Sequence, residues 1–221
     1  MSYSFTNRTG GFSTGAFASL NFGLHVGDDP VKVSANRESL KDRLGPVQFM
    51  SQEHGNRIAL IEGVIDKDPI ADSLVTGIPG INLAVQVADC IPLLLSSEHA
   101  VAAVHVGRKG LVNGVALRTI ELMREMGQSS ISAIIGPSIC GKCYEVSEEM
   151  RDEAEEFMPI AASQTRRSAP SIDIPKAIIS ILSTAQIPGK WNGVCTHEDQ
   201  SFFSYRRDKL TGRQAGVVVH G

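Results

Sequence analysis

Two histidines and one cysteine stand where a metal could use them. His54 lies in SQEHGN, just ahead of Gly55. Cys90 lies in AVQVADCIPLLL, beside Asp89, in a run that is otherwise apolar or small. His105 ends the apolar run AAVHV and is followed by Gly107 and Gly110, which let backbone come close to a ligand. Thiolate and imidazole suit zinc, and copper also takes them. Three protein ligands leave a fourth position for water or substrate, the arrangement of a catalytic site. A cysteine in an apolar strand is commonly only a small hydrophobe. A neighbouring carboxylate, however, is costly to bury without a partner. Pro92 is expected to interrupt the ladder and turn Cys90 into a cleft, with Asp89 anchoring that turn. The spacing contains no HExxH and no paired CxxC, so a rival stays open: Cys90 as a nucleophile activated by His105.

The remaining cysteines are Cys140, Cys143 and Cys195. Cys140 and Cys143 form a single CxxC in IGPSICGKCYEV. It reads as a redox pair, half a zinc knuckle or coincidence. With no second CxxC and no thioredoxin-like βαβ pattern around it, the expectation is a turn carrying two thiols.

The elements that must position these residues are mixed. Residues 7–29 hold five glycines and little periodicity, as in an ordered loop. Residues 30–44 read as a helix with Val33, Leu40 and Leu44 inward and Gly45 as the stop. Strand-like runs follow at 58–65, 81–88, 91–96, 100–106 and 131–135. A helix is expected after Asn113 as N-cap, ending at Gly127, with Val115, Ile120, Met123 and Met126 as its stripe. Another starts at Ser147, its acidic first turn favoured by the helix dipole, with Met150, Ala154 and Phe157 on one face. Pro175 opens a third, and GVVVH is the last strand. The order predicts an α+β fold, one domain over 1–221, with mixed sheets packed as a layered sandwich and flanking helices. No GxGxxG or P-loop supports a nucleotide fold of the usual kinds.

Net charge is −3 with a pI near 6.1, so no basic surface advertises nucleic acid. No apolar h-region opens the chain and no run of 18 apolar residues exists, so neither export nor membrane insertion is expected, and the protein is placed in the cytoplasm. Monomer and homodimer both stay open.

Seven ordered blocks carry a resemblance. They are NRTGGFSTGAFASLNFGLHVGDD at 7–29, SANRESL at 34–40, QEHG at 52–55, VADCIPLLL at 87–95, HVGRKG at 105–110, IGPSICGKCYEV at 135–146 and CTHEDQSFFSYRRDKLTGR at 195–213. With them the chain resembles, nearly end to end, the bacterial YfiH-type family. That family carries the labels laccase-like polyphenol oxidase, purine nucleoside phosphorylase and peptidoglycan editing factor. The resemblance implies a zinc site of His54, Cys90 and His105. It implies phosphorolysis of adenosine, inosine and methylthioadenosine, with adenosine deamination as a related activity, and hence purine nucleoside and phosphate as partners. It also places Arg37 at the active site. The chain departs from the family where HAGWRG is usual: Arg108 stands for Trp, which removes an aromatic wall, and Lys109 for Arg, which replaces a bidentate fork with a point charge. Asn7 precedes Arg8 where an Arg or Thr is usual, and His197 stands where an aromatic is common.

Phosphate needs fixed cationic donors. Arg37 is the first candidate. Arg8, in a glycine-rich loop, and Arg206, in SYRRD, are further ones, although the Arg206–Arg207 pair also suits loop stabilisation. Copper-dependent oxidation of polyphenols is an alternative, but a multicopper site needs many imidazoles and the chain has six histidines. A third reading is a metal- or cysteine-dependent hydrolase editing cell-wall precursors.

Overall fold

A computed structural model describes residues 2–221. Along the chain the strands are β1 (Ser2–Phe5), β2 (Val47–Gln48), β3 (Ile58–Leu60), β4 (Ser73–Thr76), β5 (Asn82–Val87), β6 (Ile91–Ser96), β7 (Val101–Val106), β8 (Ser132–Ile135), β9 (Ala162–Gln164), β10 (Pro170–Ile172), β11 (Gly189–Trp191) and β12 (Gln214–Val219). The helices are α1 (Pro30–Leu44), α2 (Arg108–Val112), α3 (Val115–Glu125), α4 (Glu148–Phe157), α5 (Ile174–Thr184) and α6 (Tyr205–Asp208).

Two sheets stack. One has the order β1-β12-β5-β2 and the other β11-β8-β6-β7-β4-β3, each mixing parallel and antiparallel pairs. Side chains alternate across a strand, so the fully buried run 91–96 serves two cores. Leu94 packs between the sheets with Leu83, Val85, Ala103 and Val218. Ile91, Leu93 and Leu95 face the helices, with Val115, Ile120, Met123, Ile178 and Leu182. On the far side, Leu40 of α1 packs with Phe22, Phe49, Ala84 and Val217 against the four-stranded sheet. The result is a helix–sheet–sheet–helix sandwich, the α+β layering the sequence predicts. It also explains why these strands read as continuous apolar runs: both faces are covered. No helix among the described residues is long and apolar enough to cross a membrane.

Helix α1 runs from Pro30 to Leu44, with Asp29 accepting from the Val31 amide and Gly45 at φ 86° closing it. Leu44, however, is exposed, because the helix ends before it reaches the sheet. The run 58–65 is a strand only to Leu60, and Val64 and Ile65 are solvent-exposed. Asn113 is not the cap of α3. It ends the short α2, and Gly114 at φ 71° reverses the chain into α3. On α4 only Ala154 is buried, while Met150 and Phe157 are exposed.

The loop region 7–29 is organised by Asn36. Its buried amide donates to Ser13 Oγ at 3.0 Å, Ser19 O at 3.2 Å and Asn21 O at 2.8 Å, and its Oδ1 accepts from the Phe12 amide at 2.8 Å.

Candidate functional site

Two of the chain's passages between the sheets, β2 to β3 and β5 to β6, carry His54 and Cys90. The chain leaves β2 of the four-stranded sheet, turns at His54 and enters β3 of the other. It leaves β5, bends at Ala88–Cys90 and enters β6. The break is made by Asp89 at φ 88°, not by Pro92, which sits inside β6 opposite His105 of β7. His105 shares the inter-sheet face of β7 with Ala103. Thus His54, Cys90 and His105 meet, their ligand atoms all within 4.8 Å of one another. Cys90 Sγ is 3.8 Å from His54 Nε2, and the two imidazoles lie 4.6 Å apart, edge to face.

Asp72, at the entry to β4, holds the group together. It is 1% exposed, and its Oδ1 lies 2.8 Å from His105 Nδ1. The same carboxylate accepts the amides of Glu53 at 3.3 Å, His54 at 3.0 Å and Gly55 at 2.7 Å. Burial raises its pKa, but the His105 contact and the amides outweigh burial and hold it below the ordinary carboxylate value. A carboxylate on Nδ1 leaves Nε2 of His105 free to face a metal, the usual outer contact of a metal-ligating histidine. Nothing in PIADSLVTG marks Asp72 except a carboxylate at the edge of an apolar strand.

Burial raises the Cys90 thiol. The His105 charge and hydrogen bonds to His105 and His54 lower it further, to about 6. Burial lowers His105, whereas the Cys90 charge and the Asp72 contact raise it to about 9. The metal-free pair is therefore thiolate and imidazolium near neutrality. Gly107 lies close beside it: a Cβ there would be 3.0 Å from Cys90 Sγ and 3.1 Å from His54 Cδ2, tight enough to press on both ligands.

Asp89 anchors this bend, as the sequence suggests. Thr196 Oγ1 donates to its Oδ1 at 2.7 Å, the Arg206 amide to its Oδ2 at 2.6 Å, and its own carbonyl accepts from the Ile139 amide at 2.9 Å.

Two depressions flank the trio. One, of about 410 Å³, is lined by His54, Cys90, Arg108, Lys109, Tyr144 and Arg206 among others. The other, of about 420 Å³, is lined by His25, Gln52, His54, Cys90, His105, Tyr205 and Arg213 among others. Burial and the nearby Arg213 and Arg37 lower the pKa of His25, keeping it neutral.

The predicted arginines separate. Arg206 lines the first depression, over the Tyr144 ring at 5.0 Å and bonded to the Glu145 carbonyl. Arg37 does not face the trio. Its donors go to Phe22 O at 3.0 Å, Asp68 at 2.8 Å and Gln86 at 3.3 Å, and it stacks 4.2 Å over Phe49. Arg8 binds Ala18 O at 2.8 Å and lies over Phe203 at 4.9 Å, fastening the glycine-rich loop. Arg207 is likewise spent on the carbonyls of Thr196 and Phe202. Two further cations reach the first depression, Arg108 and Lys109, the two departures in HVGRKG.

Such a sandwich, with a histidine–cysteine–histidine trio at the sheet crossings, defines a candidate metalloprotein with an open cleft. Residues 2–221 match the family model described as multi-copper polyphenol oxidoreductase laccase, and the chain belongs to that family. It is 41% identical to a Streptomyces griseus protein named purine nucleoside phosphorylase ORF3, covering 98% of this chain and 93% of that one. It is 42% identical to a Corynebacterium glutamicum protein also named purine nucleoside phosphorylase, over 97% and 92% of the two chains. The solved structure of Neisseria meningitidis protein NMB0706 superposes with a TM-score of 0.90 at 33% identity, over 99% of this chain and 94% of that one. YlmD from Geobacillus stearothermophilus superposes with a TM-score of 0.89 at 31% identity, over 99% and 92%.

Proposed function

We propose that this chain is a zinc-dependent purine nucleoside phosphorylase. The observation that carries the reading is the convergence of His54, Cys90 and His105, with His54 and Cys90 lining a cleft whose wall also holds Arg108, Lys109 and Arg206. The relatives named as purine nucleoside phosphorylases support the substrate class. The donor set fits zinc: one thiolate, two imidazoles, and a carboxylate behind one of them. Bound there, zinc would supply a Lewis acid with an open position toward the cleft.

Phosphorolysis joins a phosphate oxygen to the ribose C1′ and breaks the bond from C1′ to the purine nitrogen. The bonding pair leaves with the purine, which takes up a proton, and ribose 1-phosphate remains. Lys109 and Arg108 hold the phosphate, with Arg206 closing the same wall, because a dianion needs fixed cationic donors. The rings of Tyr144 and Tyr205 offer faces for the base and sugar. Arg37 and Arg8 act at a distance by fixing the loop 7–29, which brings His25 to the second depression.

Copper oxidation draws less support. Among the described residues, the trio is the one close cluster that contains histidine, and it has two imidazoles. A second reading has a specific observation behind it. A Cys90 thiolate beside a protonated His105 is also the activated pair of a cysteine hydrolase.

The test is product analysis with adenosine and inosine, with and without inorganic phosphate. Free purine and ribose 1-phosphate, formed only with phosphate, are expected. Inosine released from adenosine would add deamination. Free ribose in place of ribose 1-phosphate, or no turnover of either nucleoside, would overturn the phosphorylase reading.

A further inference from the structure

Outside the cleft, a second cluster draws together residues far apart in the chain. The ligand atoms of Cys140, Cys143, Cys195 and Glu198 all lie within 4.8 Å of one another. Cys140 and Cys143 sit in the turn after β8, Cys195 and Glu198 in the segment after β11. The turns are matched. The Cys143 amide donates to the Cys140 carbonyl at 3.0 Å, and the Glu198 amide to the Cys195 carbonyl at 3.1 Å. Each turn thus presents two ligand-type side chains with two residues between them, Cys-x-x-Cys facing Cys-x-x-Glu. Paired turns of this spacing are how structural zinc sites are assembled, and a carboxylate oxygen is an accepted fourth ligand.

The backbone holds the turns face to face. The Ser138 amide donates to Val194 O at 3.1 Å, and the Thr196 amide to Ser138 O at 3.2 Å. The Cys140 amide points at Cys195 Sγ, 3.4 Å away, as an N–H does toward a thiolate. Glu198 Oε1 lies 3.2 Å from Cys143 Sγ. Arg166 bonds Glu198 and approaches Cys143 Sγ at 3.4 Å, placing a cation on the outer edge of what would be an anionic complex. Zinc–sulfur bonds of about 2.3 Å would bring tetrahedral ligand sulfurs about 3.8 Å apart. Small shifts of the two turns, the outer one partly exposed, would close the cluster to that size.

We infer that Cys140, Cys143, Cys195 and Glu198 form a second, structural zinc site, a clip distinct from the His54–Cys90–His105 centre. Four protein ligands leave no open position, so its role is mechanical. The β8 turn carries Ile139 and Tyr144 to the cleft, and the tail segment carries Tyr205 and Arg206 there and Thr196 to Asp89. The clip fixes one wall against the other. The expected turn with two thiols is present, but half of its ligand set comes from residues 55 positions further on.

The test separates the two sites by genotype. Purified Cys90→Ala protein should retain about one zinc per chain, which only the clip can hold. Cobalt(II) exchanged into that variant should give the intense charge-transfer absorption of several thiolates on a tetrahedral ion. Cys143→Ser protein should lose about one zinc relative to the wild type. It should keep its phosphate-dependent turnover at low temperature and unfold earlier on heating. Glu198→Gln should weaken zinc retention without removing the thiolate bands. The clip is overturned if folded Cys90→Ala protein carries no metal, or if its cobalt form lacks thiolate bands. It is equally overturned if any two of Cys140, Cys143 and Cys195 are found joined by a disulfide. The metal content, the cobalt spectra and the thermal unfolding are read without a nucleoside assay, so loss of the phosphorylase reading would leave the clip standing.

Discussion

Asp72 and His105 face each other at 2.8 Å, both almost wholly buried, at the edge where β4 and β7 meet. The same carboxylate collects the amides of Glu53, His54 and Gly55. One side chain therefore sets the tautomer of one proposed ligand and the loop that carries another. Asp72→Asn keeps the shape but loses the charge behind His105. Zinc affinity at the trio should fall about 10- to 100-fold, read by competition with a chelator, while the fold persists.

Gly107 stands where any side chain meets the site. Ala at this position puts a methyl 3.0 Å from Cys90 Sγ and 3.1 Å from His54 Cδ2. Displaced ligands should weaken turnover by about 10-fold or more in kcat/KM. The melting temperature should move little, because Gly107 already has φ −92°, which alanine adopts freely.

Lys109 is exposed in the cleft, whereas Arg108 is paired with Glu153. Lys109→Met should raise the KM for phosphate by about 10-fold or more, the loss of one charge-assisted hydrogen bond. The zinc content and the KM for nucleoside should hardly change. An unchanged phosphate KM would remove Lys109 from the phosphate site.

In the metal-free chain the Cys90 thiol ionises at about 6, against an ordinary 9.0. The sign follows directly: the thiolate is present above about 6 and is lost as pH falls below it. Iodoacetamide labelling of the Cys90 peptide in metal-stripped protein should therefore rise with pH to a half-maximum near 6, and that labelled peptide should be absent from Cys90→Ala. Zinc should protect the thiol. A half-maximum near 9 would show that His105 does not support the thiolate.

Asp89 ties the Cys90 bend to the tail segment through Thr196 and the Arg206 amide. Asp89→Ala strands both donors, and the folding free energy should fall by ~1–3 kcal/mol in urea denaturation. A loss within error would show that water replaces the carboxylate.

Much of this was legible in the residues. Local signals place α1 at 30–44 with Gly45 as its stop, and buried strands at 91–96 and 100–106, the second one residue longer than β7, because period and stop signals are carried within each segment. His54, Cys90 and His105 stood out as metal-ligand types at the ends of apolar runs. Asp72 did not, because its role arises only when β4 and β7 pair. The family resemblance points to Arg37 as an anion site, while in the structure its guanidinium bonds Phe22 O, Asp68 and Gln86. Cys195 and Glu198 gave no signal beside the CxxC, because closing that cluster needs two turns brought together across the chain. Asn113 misled because Gly114 supplies a backbone reversal that needs no side-chain cap.

The most direct measurement is phosphate-dependent adenosine turnover in protein stripped of metal and then given zinc, wild type beside Cys90→Ala. The account predicts that the stripped wild type loses turnover and that zinc restores it. In Cys90→Ala, zinc restores nothing. Full turnover by wild-type protein verified free of metal would contradict it, and would leave Cys90 as a nucleophile instead of a ligand.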